Sequence, residues 1–193
     1  MIPRSIVVNY LEQSFERKDV AIAYVYCSYK EQGDQTAVNL IASLLQQLVQ
    51  RSPTFSNEIV LLYQNCFKKR TRPTLNEWSK LLRLEVRHFS KVFILIDALD
   101  ECPEGNNIRK NFLDEILELQ SSVQLFVTSR RCSTIEREFE KATRIEIHAS
   151  DEDVRRYLGC RIEGEHLLKR HVEADPFLRK QIINTIAEKA KGM

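Results

Sequence analysis

An α/β fold, with a parallel sheet covered by helices on both faces, is what three features of these 193 residues predict. The first is Lys91 to Cys102, KVFILIDALDEC, where an unbroken apolar run from Val92 to Ile96 ends on Asp97 and precedes an acidic pair, Asp100 and Glu101. Five consecutive apolar residues rich in Val, Ile and Phe are too few for a helix. They do not alternate with polar residues, so they fit a strand buried on both faces. The second feature is a pair of similar runs, VAIAYVYC from Val20 to Cys27 and VQLFVTS from Val123 to Ser129. The third is the helical spacing of the segments between them, since parallel neighbours need helical crossovers.

The elements follow in order. Ser5 to Arg17 has Ile6, Val7, Tyr10, Leu11 and Phe15 at helical spacing. The strand Val20 to Cys27 leads through a polar loop, Ser28 to Gln35, into a helix from Thr36 to Gln50 that repeats Val38, Ile41, Leu44, Leu45 and Leu48. Thr36 is its expected cap, and Ser52 and Pro53 end it. Ser56 to Phe67 predicts another helix with Ile59, Leu62, Tyr63 and Cys66 on one side. Lys68 to Arg72, KKRTR, is a short basic run without interleaved aromatics, and reads as a solvated loop closed by Pro73. Thr74 with Glu77 three residues on has the form of a capping box, opening a helix through Trp78, Leu81, Leu82 and Val86; Trp78 is expected in the core. After the central strand, Pro103 to Asn107 is a turn, Phe112 to Leu119 a helix and Ile135 to Phe139 a short helix. Thr143 to Ala149, TRIEIHA, alternates as a fourth strand would. Ser150 with Asp153 marks a helix start, and the rest to Met193 is helical. The expected division is 1–149 for the sheet domain and 150–193 for the beginning of a helical one.

Composition narrows the function. An apolar content of 43% and a charged content of 29% are those of a soluble globular chain. With 29 basic and 27 acidic side chains, the net charge of +2 supplies no general attraction to nucleic acid or membrane, and neither partner is expected. Cys27, Cys66, Cys102, Cys132 and Cys160 are odd in number and lack metal-ligand spacing, which predicts reduced thiols. His166 and His171 are read as surface histidines. No run approaches the length of a membrane span and the amino end lacks the apolar centre of a signal peptide, so a cytoplasmic location is expected.

The chemistry gathers at strand ends. In open α/β sheets, ligands bind outside the carboxyl ends of the strands. An apolar strand ending in Asp has the form of the Walker B element of P-loop NTPases, in which that carboxylate holds Mg²⁺. Asp97 fits the metal role, and Asp100 and Glu101 the orientation or deprotonation of an attacking water. Thr128, Ser129 and Arg130 close the next strand; a guanidinium there suits a terminal phosphate.

Taken together, VAIAYVYCSYKEQGDQT, KKRTRPTLNEW, KVFILIDALDEC, LFVTSRR and IHASDEDVRRYL resemble, nearly end to end, the NACHT-type NTPase domain of fungal signalling proteins. These are STAND-class relatives of AAA+ proteins, also described as nephrocystin-like N-terminal domains. The resemblance implies a P-loop NTPase-like core and a helical lid holding Mg²⁺ and ATP or GTP. It also implies nucleotide-driven oligomerisation and attached effector and ankyrin or WD repeat regions. By position it makes Asp97 the Mg²⁺ ligand, Asp100 and Glu101 the catalytic acidic pair, and Thr128 and Arg130 the nucleotide-side groups, with Arg130 as sensor.

Against the family pattern, no G-x-x-x-x-G-K-[ST] loop occurs: Met1 to Arg4 stand where it and its preceding strand are expected, and Arg131 stands where proline is usual. At the other end, Lys191 to Met193 stop where the family's helix runs on. The expectation is therefore an incomplete NACHT module that keeps Walker B and sensor residues but lacks Walker A, and that binds nucleotide poorly on its own. The alternative is a non-catalytic interaction or regulatory remnant.

Overall fold

The computed structural model describes residues 6–15, 19–52, 56–119, 121–148 and 150–190. The chain divides into two compact units, Met1–Glu140 and Lys141–Met193. The first contains α1 (Ile6–Ser14), β1 (Val20–Tyr26), α2 (Ala37–Arg51), α3 (Asn57–Lys69), α4 (Leu75–Val86) and β2 (Lys91–Asp97). A 3-10 turn at Leu99–Glu101, α5 (Ile108–Leu117), β3 (Gln124–Val127) and α6 (Ser133–Glu138) follow. Ser5, Arg17, Pro53, Ala149 and Lys191–Met193, which figure in the sequence reading, lie outside the described residues.

The sheet runs β1-β2-β3 with every pairing parallel. Val20–Tyr26 lie against Lys91–Asp97, and Phe93–Ile96 against Gln124–Val127. Because successive strand side chains point to opposite faces, parity separates two layers. Ala21, Ala23, Val25, Val92, Ile94 and Ile96 share a buried core with Leu44 and Leu48 of α2, Leu82 of α4, and Phe112 and Ile116 of α5. Ile22 and Leu95 face the other way, onto Val8 of α1. Helices therefore flank both faces, as in a P-loop NTPase-like α/β fold. Each large apolar side chain taken out of water contributes about 1.5–3 kcal/mol, which outweighs the weak local preferences of short strands.

Local chemistry sets the helix starts. Thr36 accepts from the Asn39 N–H at 3.1 Å. The capping box at α4 is complete, with the Thr74 N–H donating to Glu77 at 2.7 Å and the Glu77 N–H returning to the Thr74 hydroxyl at 3.4 Å. In α1 the buried residue is Val8, with Val7 and Leu11 packed partly beside it, while Ile6 and Tyr10 are exposed. Tyr63 is likewise exposed, although its spacing suggested an inward face.

The outer edge of β1 is closed by a side chain. Gln47 of α2 accepts from the Tyr24 N–H at 3.0 Å and donates to the Tyr24 carbonyl at 2.9 Å, standing in for a neighbouring strand. Gln35 does the same for Ser28, at 3.2 and 3.1 Å. Gln47→Leu should cost about 1 kcal/mol, since water reaches the part-buried groups it leaves. Urea unfolding measures this, and an unchanged midpoint would show that the clamp adds nothing.

The opposite edge differs. Among the described residues β3 pairs only with β2, and its Phe126, on the α1 face opposite Leu95, is 43% exposed. The fourth strand expected at Thr143 to Ala149 is not formed: residues 143–148 have no strand structure, and Ile145 and Ile147 are exposed. Alternation specifies which face a strand would bury, but a strand persists only with a ladder partner, and none is present for this segment among the described residues.

The second unit packs α7 (Asp151–Gly164), α8 (His166–Ala174) and α9 (Pro176–Lys189) against one another around Ile162, Val172 and Ala187. Ser150 caps α7 through the Asp153 N–H, and Asp175 caps α9 through the N–H groups of Phe177 and Leu178. His166 and His171 are exposed. No helix among the described residues is long and apolar enough to cross a membrane.

Candidate functional site

The carboxyl edge of the sheet gathers the residues singled out above. Asp97 is the last residue of β2, opposite Tyr26 in β1. The Cys27 N–H prolongs that ladder by donating to the Asp97 carbonyl at 2.9 Å. The chain then turns sharply because Ala98 adopts a left-handed conformation, φ 53° and ψ 48°. Such a geometry costs a residue with a Cβ about 1–2 kcal/mol. Thr128 holds it in place: its hydroxyl accepts from the Ala98 N–H at 2.9 Å and its carbonyl from the Leu99 N–H at 2.9 Å. Leu99 is fully buried behind the turn. Strain offset in this way by surrounding bonds is common where a site must aim side chains.

The same Thr128 hydroxyl donates to Asp97 Oδ1. With one bond donated and one accepted, it can no longer rotate freely. Two residues later Arg130 grips Asp100 twice, its N–H donating to Oδ1 at 2.9 Å and its Nε–H to Oδ2 at 2.6 Å. Glu101 lies 3.6 Å from the guanidinium through Oε1 and accepts from the Tyr29 N–H at 3.2 Å through Oε2. All five residues, Asp97, Asp100, Glu101, Thr128 and Arg130, therefore meet across the ends of two adjacent strands. The loop after β1 joins them through Tyr29.

Charge governs the rest. Burial pushes the Asp100 carboxyl up, but the Arg130 backbone N–H and guanidinium outweigh it and hold the group below its ordinary value of 3.8. A depressed folded value means the pair contributes stability above about pH 4 and loses it as pH falls through that lower value. Asp100→Asn should therefore be less stable than the native chain near neutrality, with the gap closing on acidification. A gap constant with pH in urea titrations would contradict the assignment.

Behind the carboxylates, the neighbouring Cys102 thiol, burial and the charges of Asp97 and Asp100 all push the pKa of the buried Cys27 thiol up. Nothing in the spacing of Cys27 and Cys102 announced that contact. Ala98 was equally unmarked, since a left-handed position ordinarily calls for glycine. The role of the Tyr29 N–H was also hidden, because main-chain donors leave no trace in side-chain identity.

No three His, Cys, Asp or Glu side chains among the described residues converge as a metal cage. Asp97 fits the other common mode for Mg²⁺, in which one or two carboxylates act together with substrate phosphates. Asp100 and Glu101 face the Arg130 guanidinium, and Asp97 ends the strand beside them, so three carboxylates against one guanidinium leave this edge net negative, and it repels a polyphosphate and attracts a cation.

The family model for the nephrocystin 3 N-terminal domain matches residues 4–130, a span that begins just before α1 and ends on Arg130. No curated protein matches the chain. On the strength of that match, and of a parallel sheet whose carboxyl edge carries the acidic turn, the chain belongs to the nephrocystin 3 N-terminal family.

Proposed function

We propose that these residues form the metal and sensor half of a NACHT-type STAND switch, the kind of nucleotide-operated module found in fungal signalling proteins. The observation that supports it most is the convergence of Asp97 and Thr128 with the Asp100–Arg130 pair across the ends of neighbouring parallel strands. In this reading Asp97 holds Mg²⁺ and Thr128 fixes its orientation. Arg130 responds to the terminal phosphate of ATP or GTP, and Asp100 and Glu101 stand toward the attacking water. Bound Mg²⁺ would supply charge neutralisation on the phosphates.

Asp100 holds the backbone N–H and the Nε–H of Arg130, which leaves the Nη donors for a phosphate, so the carboxylate orients the guanidinium while its outer edge meets the nucleotide. Effector and ankyrin or WD repeat regions, and an oligomer, are the partners this reading implies.

The DNA immediately upstream tests the proposal. An in-frame strand and glycine-rich lysine loop is expected, and the longer chain should bind MgATP or MgGTP in a manner lost on Asp97→Asn. Absence of such a loop favours the second reading, a non-catalytic interaction or regulatory module. One observation already points that way: the half-exposed edge strand β3 offers backbone groups to an added strand.

A further inference from the structure

Helix α3 buries none of its residues, alone among the helices described in the first unit. Yet Ile59, Val60, Leu61, Leu62, Tyr63, Cys66 and Phe67 make it apolar around most of its circumference. A helix of that kind ordinarily sits in a core. Here it stands off from α4, and a groove of about 780 Å³ remains, floored by Ile59, Leu62, Phe67, Trp78 and Leu81. That volume lies within the range of about 300–1,000 Å³ usual for small-molecule sites.

One end of the groove is cationic. Arg70 takes a left-handed conformation, φ 52°, and the Thr71 N–H returns to the Cys66 carbonyl at 3.0 Å, so the chain doubles back at the helix end. The turn brings Lys68, Arg70 and Arg72 to the lining, and no acidic residue joins them there. Among the described residues none of these three is ion-paired, unlike Arg51, Arg83, Arg109 and Arg130. Apolar walls ending in unpaired cations fit a molecule with an alkyl body and an anionic head.

We propose that this groove binds a free medium- to long-chain carboxylate, its chain against Trp78 and Leu81 and its head at Arg70 and Arg72. The KKRTR run then serves as the anion end of a ligand site. This site is separate from the acidic edge of the sheet, and its test does not involve nucleotide.

Trp78 is the only tryptophan of the chain, so its fluorescence reports occupancy directly. Titration of the 193-residue chain with decanoate, below the concentration at which decanoate forms micelles, should give a saturable shift whose midpoint rises with added salt. Arg70→Gln combined with Arg72→Gln changes two exposed side chains. That variant should weaken binding about tenfold or more, as expected for losing charge-assisted bonds. Decan-1-ol and decyltrimethylammonium should bind about tenfold more weakly than decanoate on the same grounds. Equal binding of all three, a midpoint indifferent to salt, or no saturable change would overturn the proposal. So would self-association through α3 in sedimentation, which would make the groove's occupant a second copy.

Discussion

Phe112→Ala is expected to remove a large share of the first unit's stability, about 3–5 kcal/mol. Phe112 is fully buried where α5 meets the core shared by α2, α4 and the sheet. Removing its ring loses transfer energy and leaves a cavity that helices fastened on several sides cannot collapse. Truncations of this kind cost about 3–5 kcal/mol. A single domain is stable by about 5–15 kcal/mol in total. The urea midpoint should fall accordingly, followed through the fluorescence of Trp78. Phe112→Leu should recover most of the loss, because the cost lies in the void and not in aromaticity. A midpoint unmoved by Phe112→Ala would mean that α5 is not part of the cooperative core.

The second large effect is expected at Thr128, and it bears on the site. Its hydroxyl bonds both to the Asp97 carboxylate and to the N–H of the strained Ala98. Valine keeps the shape and removes both bonds, so Thr128→Val leaves a carboxylate and a backbone donor without partners. Hydrogen bonds to charged groups are worth about 1.5–3 kcal/mol, and the loss should fall in that range. Thr128→Ser should retain most of the stability, since it restores the hydroxyl. If valine and serine behaved alike, the hydroxyl would not be what holds the turn, and the account of Ala98 would fail with it.

The chain's own residues show how far such a fold is readable. Val92 to Ile96 was legible as a doubly covered strand because a buried parallel strand must be apolar at every position, and few other structures demand that. The convergence of the strand-end residues was legible for a related reason. Asp97, Asp100 and Glu101 follow one strand and Thr128 and Arg130 follow its neighbour, so parallel topology alone carries them to one edge. Residues 143–148 misled because their alternation is a local property, whereas a ladder partner is not. Gln47 and Gln35 could not be read as edge clamps, since their partners lie 23 and 7 residues away and any polar helix residue has the same local signature. Tyr63 and Ile6 fall on apolar spacings yet meet solvent, because spacing predicts a face and not what covers it.

The central proposal is that these residues supply the metal and sensor groups of a nucleotide site without a phosphate cradle among them. Calorimetric titration of the 193-residue chain with MgATP tests it most directly. Phosphoryl recognition depends on positioned backbone N–H groups and a lysine, and Asp97 alone cannot retain Mg²⁺ strongly without phosphates beside it. The account predicts heats of dilution only, up to about 1 mM nucleotide. Micromolar affinity abolished by Asp97→Asn would contradict it, showing that another segment of these residues performs the work of the loop.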